Sequence, residues 1–150
     1  MYLFLDTETT GLPRSYKAPV TDTANWPRLV ELAWIRGDAE GNALEEQRYI
    51  VRPEGFQIPK SSTKIHGISQ AKANSEGESL KAVMAAFAEA VEESEFVVGH
   101  NVEFDERIVG AEWVRLGMRH QLWHRERICT KLESTSFCRL PGKYGYKWPT

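Results

Sequence analysis

Met1-Tyr-Leu-Phe-Leu-Asp6-Thr-Glu8-Thr-Thr-Gly-Leu-Pro13 runs an apolar stretch straight into two carboxylates one residue apart, then breaks at Gly11 and Pro13. In an extended strand alternate side chains share a face, so Asp6 and Glu8 point the same way, roughly 6–7 Å apart along the chain. Tyr2 and Phe4 join them there, and Met1, Leu3 and Leu5 take the other side. A strand apolar on both faces is expected to be central and buried. Two anions at its carboxyl end carry a desolvation cost unless cations or donors face them. Hard divalent cations such as Mg²⁺ take oxygen ligands of this kind.

The 150 residues suit one domain around one core. Hydrophobic residues make up 41% and charged residues 27%, an ordinary globular balance. A net charge of −2 supplies no overall basic field for nucleic acid, but a local basic patch beside an acidic, cation-loaded site would serve. The apolar start is too short for a signal peptide and lacks a basic lead. No stretch reaches the length of a membrane span, so the cytoplasm is the expected location. Cys129 and Cys138 fit neither a disulfide framework nor a zinc site and are expected as reduced thiols.

Beyond the opening strand, residues 13–27 read as a polar loop, and Arg28–Arg36 and Gln47–Arg52 as two further strands joined through Gly41-Asn42. These three strands form an antiparallel meander. Residues 58–77 are less regular and contain Ile65-His66-Gly67-Ile68. Leu80, Val83, Met84, Phe87 and Val91 make an amphipathic stripe over residues 79–93, with Ser79 as its cap. A short buried strand over 95–100 hands over at Asn101, an expected N-cap, to a helix over 102–117. Alternation of strand and helix points to an α/β class.

On that helix Asp105 precedes Ile108 and Val109 by three and four residues, so it projects from the apolar face toward the sheet. A carboxylate there costs several kcal/mol without a partner, and no lysine or arginine lies on the same stripe. A metal shared with Asp6 and Glu8 would satisfy all three. The pair His120 and His124 lacks the glutamate of a metalloprotease helix and reads as coincidence. A fifth strand over 125–130, a short helix over 131–138 and a basic-aromatic loop complete the chain.

Asp6-Thr-Glu8-Thr-Thr-Gly-Leu12, Ile65-His66-Gly67-Ile68 and His100-Asn101-Val-Glu-Phe104-Asp105, in that order, resemble the motifs of the DEDD-superfamily (DnaQ-like) 3′–5′ exonucleases. That group holds the proofreading ε subunit of bacterial DNA polymerase III. The resemblance implies a ribonuclease-H-like mixed sheet flanked by helices, with strands 1–3 an antiparallel meander and strands 4–5 parallel to strand 1. It also implies a third motif, His-x-x-x-x-Asp or Tyr-x-x-x-Asp on a later helix. Asp105 is the last aspartate of the sequence, and no later glutamate follows His or Tyr in that pattern. The chain is therefore expected to lack that helix, to leave one sheet face uncovered, and to be impaired in activity and marginal in stability.

By the same resemblance the cofactors are two divalent cations, Mg²⁺ or Mn²⁺, held by Asp6, Glu8 and Asp105. Asp6 would bridge them, with Glu8 on the nucleophile side and Asp105 on the leaving-group side. Thr7, Thr9, Thr10, Gly11 and Leu12 would line the terminal nucleotide; Ile65, His66, His100, Asn101 and Phe104 would hold its sugar and base. The implied partner is single-stranded or 3′-terminal nucleic acid, DNA favoured, with a DNA polymerase as a further partner and no membrane. RNA as substrate, and a non-catalytic module that binds nucleic acid or a polymerase, stay open from these motifs.

Overall fold

The computed structural model describes residues 1–118 and 124–149; His120 lies outside the described residues. Five strands form the main sheet: β1 (Tyr2–Thr9), β2 (Leu29–Gly37), β3 (Ala43–Ile50), β4 (Phe96–Gly99) and β5 (Glu126–Cys129), in spatial order β3-β2-β1-β4-β5. β1, β2 and β3 pair antiparallel, and β4 and β5 run parallel to β1. This is the expected mixed sheet, with β1 in its middle. A parallel neighbour needs a crossover, and α3 (Leu80–Glu92) supplies the one between β3 and β4. α4 (Val102–Arg115) connects β4 to β5.

The stripe on α3 is buried as its spacing requires, and the Ser79 hydroxyl accepts from the Ala82 amide at 3.3 Å. Its central ring, Phe87, lies 5.3 Å from Trp34 of β2 and 5.8 Å from Trp113 of α4. Leu3, Leu5, Leu32 and Val97 complete that core from the sheet.

Four readings need correction. β1 is central but not buried on both faces: Leu3 and Leu5 are covered, whereas Phe4 is 45% exposed. α3 and α4 pack against one side only, and aromatic residues on the other side cover each other, Tyr2 on Phe96 at 4.8 Å. Residues 58–77 are regular, forming α1 (Lys60–His66) and α2 (Gln70–Glu76) around Ile68 and Ala73. Seven residues give too few turns for a legible apolar stripe. Gly67 closes α1 at φ 78, a conformation glycine adopts without a Cβ penalty. The helix over 131–138 is two single turns, α5 (Thr130–Glu133) and α6 (Thr135–Cys138), and the expected terminal loop folds into a hairpin of β6 (Pro141–Gly142) and β7 (Gly145–Tyr146).

Candidate active site

β1 delivers Asp6 and Glu8 to the uncovered face, opposite Ala33 and Glu31 of β2. Burial raises the Asp6 carboxyl above its ordinary range, and Glu31 adds repulsion against the Thr7 amide that lowers it. Glu8 is raised first by burial, then by Asp6 and Glu31, while His66 and Arg48 pull it down. Arg48 reaches Glu31 at 2.9 Å, and among the described residues neither motif carboxylate has a cation of its own at bonding distance. A hollow of about 240 Å³ beside Asp6 is lined by Phe4, Ile35, Gln47 and Arg48.

Asp105 approaches β1 from the helix side and is 3% exposed. One of its oxygens, Oδ1, accepts from the Thr7 amide at 3.1 Å and the Thr7 hydroxyl at 2.7 Å. Burial pushes its carboxyl up to about 7, repulsion from Asp6 adds to this, and the Thr7 donors oppose it. Asp6 is thus the electrostatic neighbour of both Glu8 and Asp105. Among the described residues, no three His, Cys, Asp or Glu side chains are gathered as a ready ligand group.

Donor chemistry nevertheless fits a hard divalent cation. All three groups offer carboxylate oxygens, which suit Mg²⁺ or Mn²⁺. Each is held above its ordinary range by burial and like charge. A cation placed against Asp6 and Asp105 would relieve both effects.

The other motif residues fall into two groups. Thr7 is turned away from Asp6 and Glu8 by strand alternation, and it holds Asp105 rather than lining an open surface. Thr9 donates to the Gly11 carbonyl at 2.7 Å, and the Thr10 hydroxyl accepts from the Arg28 amide at 2.9 Å. These threonines shape the strand end. Asn101 adopts the left-handed conformation (φ 71) and makes no side-chain cap; its Oδ1 accepts from Lys131 Nζ instead. Asn101 does stand at the expected N-cap position before Val102, but its side chain serves Lys131 and not the helix amides. His100 faces Thr130 Oγ1 and the Pro149 carbonyl, each at 3.1 Å.

Exposed apolar surface comes from Leu12 (74%) and Ile65 (84%). His66 lies in the field of Glu8, and its Nδ1 accepts from the Ile68 amide at 3.1 Å. Phe104 is half-buried against the core, its ring 6.5 Å from Tyr16.

Sequence reasoning missed three supports. Ser62 donates to the Thr10 carbonyl at 2.8 Å, which ties α1 to the end of β1. Glu112, fully buried, takes Arg28 Nε, Arg115 Nη1 and the Leu29 amide, each at 2.9 Å. Glu106, also fully buried, takes Arg127 Nη1 at 3.0 Å. Glu112 was signalled only by its place beside the apolar Trp113; Arg115 lies one turn along α4, but Arg28 and the Leu29 amide are 84 and 83 residues away in sequence.

The family whose description reads RNase_T, exonuclease, matches residues 3–142. A product-bound exonuclease I superposes with a TM-score of 0.76 and 23% identity, covering 99% of this chain and 34% of that one. Exonuclease X in complex with 5′-overhanging duplex DNA gives 0.62 and 23%, covering 95% of this chain and 66% of that one. The PolC-type DNA polymerase III of Pediococcus pentosaceus is 27% identical over 117 residues, 78% of this chain and 7% of that protein. This chain thus spans about a third of exonuclease I and a small part of the polymerase. The fold is the ribonuclease-H-like exonuclease fold.

Proposed function

We propose that this chain, which belongs to the RNase_T exonuclease family and is by family a hydrolytic exonuclease, removes nucleotides from the 3′ ends of DNA at Asp6, Glu8 and Asp105. The observation that carries the reading is Asp105: a carboxylate 3% exposed, raised to about 7, with no lysine or arginine among the groups that shift it. Two divalent cations at such a site, when bound, lower the pKa of an attacking water and stabilise the leaving oxygen of a phosphodiester. Asp6 would hold both, with Glu8 toward the water and Asp105 toward the leaving group. Leu12 and Ile65 offer apolar faces to the terminal base. Thr7 fixes the Asp105 rotamer through two hydrogen bonds.

DNA is favoured because solved relatives of this fold hold oligodeoxynucleotides, including E. coli exonuclease I with a dT13 strand at 20% identity. Similarity to a PolC-type polymerase supports replication or proofreading as the setting.

A second reading, a binding module without hydrolysis, is favoured by the carboxylates not being gathered into one ligand group among the described residues. Single-stranded DNA labelled at its 3′ end, incubated with Mg²⁺ or Mn²⁺, separates the two. Release of labelled mononucleotide that Asp6→Ala abolishes supports the exonuclease. Internal cleavage overturns it, and binding with no hydrolysis in either metal leaves the module.

A further inference from the structure

We propose that residues 135–149 form a stacking platform for the unpaired bases of a single-stranded nucleic acid, upstream of the site described above. The segment carries Phe137 (87% exposed), Tyr144 (91%), Tyr146 (56%) and Trp148 (58%), a run of open aromatic surface that no core element covers. Apolar exposure this concentrated marks a contact surface.

Charge selects the partner. Arg139, Lys143 and Lys147 are interleaved with those rings, and no Asp or Glu follows Glu133. The chain as a whole is acidic, at −2, so the basic charge is local to this end. Lys143 Nζ sits 5.1 Å from the Tyr144 ring centroid, and Lys131 Nζ sits 4.2 Å from that of Trp148. A cation beside a ring leaves that ring's free face for a base and the ammonium for a phosphate. Aromatic faces alternating with cations suit a flexible polyanion whose every unit carries a π-face, the chemistry of single-strand binding without sequence preference.

The platform is held in place. Lys147 donates its amide to the Leu140 carbonyl at 2.9 Å, and the Pro149 carbonyl lies 3.1 Å from His100 Nε2. That contact sets Trp148 next to the His100-Asn101 corner. Between them lies a cleft of about 740 Å³ walled by Trp148, Lys131, Arg127 and Tyr16, with Glu103 and Glu133 also on its rim. Glu103 is paired with Arg107 at 3.1 Å and Arg127 with Glu106 at 3.0 Å, which leaves Lys131 and Glu133 on the rim and the basic charge on the 139–147 segment.

The proposal rests on nucleic acid being the substrate, and its test separates the two claims. The full chain is titrated in EDTA with fluorescein-labelled oligo-dT and with an abasic oligonucleotide of equal length. Tyr144→Ala, Tyr146→Ala and Trp148→Ala are each expected to weaken oligo-dT binding by about 5- to 100-fold while leaving abasic binding near wild type. Lys143→Gln with Lys147→Gln is expected to weaken both ligands equally and flatten the salt dependence. Tyr144→Phe, which keeps the ring, is expected to bind as wild type does and controls for folding. Equal affinity of wild type for oligo-dT and the abasic strand, or aromatic variants that bind oligo-dT normally, overturns the platform. Hydrolysis of 3′-labelled DNA is measured in parallel. Activity with those negative results overturns the platform alone; ring-dependent binding with no hydrolysis supports the platform and overturns the exonuclease.

Discussion

On the side that carries α3 and α4, β1 presents Leu3, Leu5 and Thr7, none more than 8% exposed. On the other side, one residue along each time, it presents Tyr2, Phe4, Asp6 and Glu8, with Phe4 45% exposed. Backbone and hydrogen bonding are common to both, so the difference lies in what each face must bury. The covered face excludes water and carries the stability. The open face keeps two carboxylates within reach of solvent, cations and substrate. Asp105 crosses the division: it belongs to the covered side by burial and to the open side by its coupling to Asp6.

Phe87 gives the contrast its largest test. It is fully buried between Trp34 and Trp113, on the covered side. Phe87→Ala is expected to cost about 3–5 kcal/mol in urea unfolding, because the neighbouring tryptophans cannot collapse into the space. A loss under about 1 kcal/mol would mean that this face does not carry the fold.

Asp105→Asn tests the crossing point. The unfolded carboxyl ionises near 3.8 and the folded one at about 7. Between those values the folded chain keeps a proton that the unfolded chain has released. Stability is therefore full below about pH 4, falls as pH rises to about 7, and levels off above it. The full span is ~4 kcal/mol at 1.36 kcal/mol per pH unit, in the absence of a cation. The amide introduced by this substitution keeps an acceptor for Thr7 and loses the charge. The variant is therefore expected to be more stable than wild type at pH 8 and to lose less stability between pH 4 and 8, the remaining slope coming from Asp6 and Glu8. Added Mg²⁺ should raise the wild-type melting temperature and leave the variant unmoved. A wild type whose stability rises over that window would refute the assignment.

Glu112 contributes a smaller, purely structural effect. Its Oε1 gathers Arg28, Arg115 and the Leu29 amide, and the Arg28 backbone in turn holds Thr10. Glu112→Gln leaves Arg115 partly buried without its counter-ion; burial already holds that guanidinium below its ordinary range. With Arg28 25% and Arg115 16% exposed, water softens the loss to about 2 kcal/mol in urea unfolding. No change on this substitution would show that the triad does not anchor the strand end.

The elements that set this contrast differ in how far they could be read. The α3 stripe and the β1–β3 meander follow from periodicity, and Asp105 was placed toward the sheet by its spacing from Ile108 and Val109 alone. Its donor was not legible, because Thr7 lies 98 residues away and became a partner only through the fold. Strand alternation did separate Thr7 from Asp6 and Glu8, and grouping it with the substrate-lining residues overlooked that period. Covering of β1 on both faces was misread because apolar alternation shows what can be buried, not which elements arrive to bury it. α1 and α2 were missed for want of length; Asn101 was placed at the N-cap of α4, but its side-chain partner, Lys131, lies 30 residues on and was not legible.

Phe4 supplies the smallest effect on stability and the finest test of the open face. Its ring lies 6.5 Å from that of Tyr2, which stacks on Phe96, and opposite Ile35, itself 40% exposed. Half-exposed apolar surface adds little to folding, so Phe4→Ser is expected to change stability by less than about 1 kcal/mol. The same surface favours association between copies, since contiguous apolar patches bury each other. Sedimentation velocity at increasing concentration is therefore expected to show the wild type associating and Phe4→Ser shifted toward monomer. A loss as large as that of Phe87→Ala would place Phe4 in a core and end the distinction between the faces. An unchanged, monomeric wild type at all concentrations would show that Tyr2 and Phe96 already shield the patch, and that the open face is reserved for Asp6 and Glu8.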